Sequence, residues 1–166
     1  MAQLLDEYRE WNTPVVGAYL LWRFTSAYVQ NRADGVPPSF LLHCVAAAIL
    51  TGTAYVEAIG HARSLHGYSQ YFVTHGLADK LEKLHYRVAK TLSYTKRAVD
   101  IAVHRQLLVW DKENGALLPI DIGKPVRGSA TLSLSVMNIA KRADTLGKWF
   151  AAADLNNITI ELGVRF

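Results

Sequence analysis

The chain has 166 residues, of which 51% are hydrophobic and 19% charged, and its formal net charge is +4. This composition excludes a disordered chain, and the length fits one domain with a sizeable core. The only cysteine, Cys44, excludes an internal disulfide framework and a cysteine-rich zinc module.

Residues 1–11 carry Asp6, Glu7, Arg9 and Glu10. A signal peptide opens instead with basic residues followed by an apolar run, so a cytoplasmic location is expected. Thr13-Pro14 reads as a helix start, with Thr as N-cap and Pro in the first turn. The helix that follows is apolar most of the way round, and Arg23 is the one charge before Arg32. Residues 31–38 (NRADGVPP) form a loop by their Asp-Gly and Pro-Pro pairs. A second apolar helix is expected over 39–50.

The stretch 40–59 has about the ~20 residues that span a bilayer. It holds His43, Thr51, Gly52, Thr53 and Glu57, and no dense basic flank anchors it. A buried helix and no membrane partner are therefore expected. Residues 54–75 read as helical, punctuated by Gly60, Gly67 and Gly76.

A clearer helix spans 77–89, with Leu77, Leu81, Leu84 and Val88 at helical spacing. Its other face presents Lys80, Lys83, Arg87 and Lys90. The next helix is expected from Ser93 to about Gln106, with Lys96, Arg97, Asp100 and His104 outward. Asn114-Gly115 then separates two apolar runs, 107–110 and 116–120, and predicts a β-hairpin. A linker over 121–129 leads to a long helix over 130–153. Residues 154–166 return to a short apolar segment.

The expected fold is mainly α: one helical domain over 1–166. It comprises an apolar helical part (1–76), a winged-helix-like helix–helix–hairpin unit (77–120), and a linker, long helix and C-terminal segment (121–166). The charge is uneven, −2 over residues 1–60, +6 over 61–166, and +5 within 80–105. A local basic excess on such a unit points to an anionic partner. In winged helices the second helix can enter a major groove while the hairpin touches the backbone. The candidate contacts to double-stranded DNA are Lys90, Tyr94, Lys96, Arg97, His104, Arg105 and Lys112.

Catalytic and metal signatures are missing. His61, His66 and His75 are not three or four apart, the spacing at which a helix pairs its ligands. Ser129, Ser133 and Ser135 are outside any Gly-x-Ser-x-Gly elbow. Cys44 falls in an apolar helix, where a buried inert thiol is expected. No phosphate-binding Gly-rich loop occurs, and no cofactor or enzymatic activity is expected. Trp11, Trp22, Trp110 and Trp149 are core candidates.

The runs RVAKTLSYTKRA (87–98), VHRQLL (103–108) and GAL (115–117), followed by KRADTLGKWFA (141–151) and ITIELGVR (158–165), resemble the middle component of bacterial ABC three-component systems. Asn12-Thr13-Pro14, with Ala18 and Leu21, is similar to the opening of that family. The resemblance covers about half the chain, chiefly 87–118 and 139–165. The small accessory subunit of Lamassu-type defence systems is similar.

The resemblance implies a non-enzymatic adaptor that couples an SMC/Rad50-like ABC ATPase to an effector subunit, in conflict with phages and plasmids. Its candidate interface residues are Lys141, Arg142, Lys148, Trp149 and Phe150, on a segment that otherwise packs on the winged unit. The alternative reading of the same residues is a free-standing winged-helix DNA-binding regulator.

Overall fold

The computed structural model describes residues 13–123 and 132–165. Among these the protein is mainly helical, with eight helices and one two-stranded sheet. Trp11 and the linker residues 124–131 lie outside the described residues.

Helix α1 (Pro14–Asn31) begins where the Thr-Pro pair predicts. The Thr13 hydroxyl accepts from the Val16 N–H at 3.3 Å. Helices α2 (Phe40–Leu50) and α3 (Thr53–Ile59) follow, bent by 99° at their break. No single helix among the described residues is long and apolar enough to cross a membrane. From Leu42 to Leu50 every residue of α2 is buried, so this run is a core helix.

The segment expected as helical over 54–75 is two helices. α3 ends at Gly60, and α4 (Leu65–Thr74) starts after Ser64, whose hydroxyl accepts from the Gly67 N–H at 3.0 Å. Helices α5 (Ala78–Lys90) and α6 (Leu92–His104) are separated by Thr91 alone. Helix α6 therefore starts one residue before Ser93, and Thr91 occupies the cap position. The hairpin joins β1 (Leu108–Asp111) to β2 (Ala116–Pro119), with Asp111 opposite Ala116. Its turn holds Gly115 at φ 59°, a conformation that favours glycine. Asp111 tightens the turn by accepting from the Asn114 side-chain amide at 2.7 Å.

The hairpin does not stand free. The Phe40 N–H donates to Gly115 O at 3.0 Å and the Leu117 N–H to Pro38 O at 3.2 Å. Trp110 lies against Phe40 with ring centroids 5.7 Å apart. Helix α7 (Leu134–Ala152) is the long helix, and α8 (Leu155–Leu162) follows it. The apolar segment at the C-terminus is thus helical. The Asp154 carboxylate caps it, accepting from the Asn157 N–H at 2.7 Å, and Gly163 closes it at φ 63°.

The long helix packs chiefly on α1. Ala140, Ala143, Gly147 and Ala151 are buried along one face of α7. Small residues let two backbones approach closely. At Gly147 a Cβ would stand 3.0 Å from Ala27 Cβ and 3.1 Å from the Tyr28 nitrogen, too close for most side chains. Phe24 and Phe150, both fully buried, meet edge to face across this seam at 5.6 Å.

Candidate functional site

An apolar helix carrying one arginine must pair that charge, because an unpartnered ion beside a core is costly. Arg23 does so across the α1–α7 seam. Its Nε donates to Asp144 Oδ1 at 2.8 Å and its Nη2 to Asp144 Oδ2, while Nη1 donates to the Tyr19 hydroxyl at 2.9 Å. The bond to Asp144 pushes the guanidinium pKa up, against an opposing effect of burial.

This pair lines a cleft of about 500 Å³ between α1, the end of β2 and α7. Trp22, Ile120, Asp121 and Lys148 also line it. Trp22 Nε1 donates to Ile120 O at 2.9 Å, holding the strand end against α1. The cleft thus combines an aromatic wall, a fixed ion pair and a solvent-exposed lysine at its rim.

The candidate interface residues divide into two groups. Lys141 and Lys148 are exposed and two turns apart on α7, hence on one face. The other three point inward. Arg142 donates to Val56 O, and its guanidinium stands over Gly60. Trp149 is half-buried against Tyr68, 6.0 Å between centroids, and Phe150 is in the core. Packing explains those three residues.

The candidate DNA contacts divide similarly. Lys90, Lys96, Arg97, His104, Arg105 and Lys112 are exposed. Tyr94 is half-buried, and its hydroxyl donates to Thr13 O at 3.0 Å. A Cβ at Gly17 would stand 2.8 Å from Tyr94 Cζ, so the ring fills a space left by glycine. Burial pushes the Tyr94 phenol up. Tyr94 fastens α6 to the start of α1.

His61, His66 and His75 occupy two different settings. His61 and His75 both stack with Tyr71, at 5.2 and 4.2 Å between centroids. His66 meets Glu161 at 2.9 Å, and the Ser69 hydroxyl donates to the same carboxylate. The carboxylate lies between serine and imidazole, so the imidazole does not receive the serine proton. Among the described residues no three His, Cys, Asp or Glu side chains group around a metal position.

His43 is fully buried. Its Nδ1 lies 2.8 Å from Ser39 O, and its Nε2 lies 2.8 Å from the Thr25 hydroxyl. The carbonyl only accepts, so Nδ1 carries the proton, and the single proton of the Thr25 hydroxyl faces two acceptors, Nε2 and Leu21 O at 2.6 Å. Burial pushes the ring down to about 4, which keeps it neutral. Cys44 is buried, and burial pushes its thiol up to about 11.

Sequence reasoning missed the Arg23–Asp144 pair. The available signal was a single charge on an otherwise apolar helix. It also missed the role of Arg87, whose Nε donates to Ala48 O at 2.7 Å and whose Nη2 donates to Thr51 Oγ1 at 3.0 Å. On sequence spacing Arg87 is one more lysine-like charge on an outer face.

Comparison with known proteins gives a family match. The family model described as "ABC-three component (ABC-3C) system Middle Component 3" matches residues 1–166. No curated protein and no solved structure matches the chain.

Proposed function

The chain belongs to the ABC-three component system Middle Component 3 family, and from that premise we propose that it is a non-enzymatic adaptor. It links an SMC/Rad50-like ABC ATPase to an effector subunit in a bacterial anti-phage or anti-plasmid complex, in the cytoplasm. The observation that carries this reading is the family match along the whole chain. The division of its surface supports it, because the polar groups on the inner faces are matched within the chain while lysines stay outside.

The partner face is the α7 flank of Lys141 and Lys148 beside the Arg23–Asp144 cleft. A fixed ion pair and the Trp22 wall are preorganised, so little order is lost when a partner docks. The α5–α6–hairpin unit serves as a winged-helix-like module. Lys90, Lys96, Arg97, His104, Arg105 and Lys112 contact the phosphates of double-stranded DNA, an attraction that weakens with salt.

The test is co-purification of the tagged protein with the products of its neighbouring genes, with and without ATP and DNA. A stable complex containing a large ABC ATPase is the expected result. A lone dimer that shifts DNA would overturn the adaptor reading in favour of a free-standing regulator.

A further inference from the structure

A second concavity lies between α3 and α5. It is a trough of about 490 Å³ lined by Tyr55, Lys83, Tyr86, Arg87 and Lys90. All five lining residues are aromatic or cationic. Tyr86 is 68% exposed, although large aromatic side chains usually carry core packing. Lys83 precedes it by three residues and Lys90 follows it by four, so the two cations flank the ring on one helix face. Along the helix they stand roughly 10 Å apart.

The floor of the trough is fixed before any ligand arrives. The Tyr55 hydroxyl donates to Lys80 O at 2.6 Å. The Arg87 guanidinium lies 5.7 Å from the Tyr55 ring centroid and is held by Ala48 O and Thr51 Oγ1. These bonds use the Nε and Nη2 atoms, and Nη1 makes no hydrogen bond with the described residues. Gly52 makes the stack possible. A Cβ there would stand 2.6 Å from Tyr55 and 2.9 Å from Arg87. Among the described residues, the carboxylate contact to the trough is Asp79 with Lys83 at 3.2 Å, an exposed pair that holds the lysine only weakly.

We propose that this trough binds single-stranded nucleic acid, with a base stacked on Tyr86 beside the Tyr55–Arg87 floor and the flanking phosphates on Lys83 and Lys90. The alternation of cation, aromatic ring and cation matches a chain that alternates phosphates with flat π-faces. In a duplex those faces are hidden in the stack, so only an unpaired strand uses both elements. An acidic peptide would use the lysines but has no such use for an exposed ring between them. The site shares only Lys90 with the residues assigned to duplex contact and does not depend on the adaptor reading.

The experiment is fluorescence anisotropy of a short labelled oligothymidylate titrated with the full chain at several salt concentrations. Tyr86→Ala weakens binding about 5- to 150-fold, the range for loss of one base–aromatic stack, and Tyr86→Phe restores it. Lys83→Ala with Lys90→Ala lowers the slope of log affinity against log salt by about 1.4. Both substitutions fall on exposed side chains, and circular dichroism checks that the variants are folded. Equal binding of an abasic strand, equal binding of Tyr86→Ala, or a duplex or glutamate-rich peptide whose binding Tyr86→Ala weakens as much as that of the single strand would each overturn the proposal.

Discussion

The α1–α7 seam and the α5–α6 ridge put charge to opposite uses. In the seam, Arg23 and Asp144 pair with each other, and the helices meet through Ala140, Ala143 and Gly147, while Arg142 on another face of α7 reaches Val56 O of α3. On the ridge, Lys96, Arg97, His104 and Arg105 are exposed. Two basic segments with similar sequence character therefore differ in consequence. A cation inside a seam organises the fold, while a cation on the ridge is available to a partner.

Substitutions in the seam should break the fold, and those on the ridge should leave it intact. The largest effect is expected from Phe150→Ala. It opens a cavity beside Phe24 and should cost about 3–5 kcal/mol in a urea titration. The next is acid. The His43 ring is held at about 4 when folded against an ordinary 6.5, so the unfolded chain takes up a proton first. Stability is full above pH 6.5 and falls as pH drops toward 4, by about 3 kcal/mol in total. A His43→Gln variant should lose that slope, as read from denaturation midpoints across the window.

Asp144→Asn leaves Arg23 with one weaker acceptor and should cost about 2 kcal/mol, measured by thermal denaturation. The smallest effect is on the ridge. Lys96→Ala and Arg97→Ala should each stay within about 0.5 kcal/mol of the parent. A larger loss there would show that the ridge also organises the fold, and the contrast would fail.

Local signals carried much of the architecture into the sequence. Thr13-Pro14 announces α1, the Leu77–Leu81–Leu84–Val88 spacing announces α5, and Asn114-Gly115 announces the hairpin. The missed features depend on tertiary partners. Ile158, Thr159 and Ile160 give α8 no helical signal of their own, yet the Asp154 cap and the burial of Ile158 and Leu162 make it a helix. Tyr94, Arg142 and Phe150 look functional within their motifs, but their roles are set by Gly17, Val56 and Phe24, which are distant in sequence. The exposed Lys141 and Lys148 were legible as candidates, and the cleft beside them was not, because three separate elements build it.

The most direct test of the adaptor account is lysine labelling read by mass spectrometry, on the chain alone and in complex with the proposed ABC ATPase partner, without nucleic acid. Lys141 and Lys148 should lose reactivity in the complex while Lys96 keeps it. Unchanged reactivity of Lys141 and Lys148 in an assembled complex would contradict the assignment of the α7 flank as the partner face.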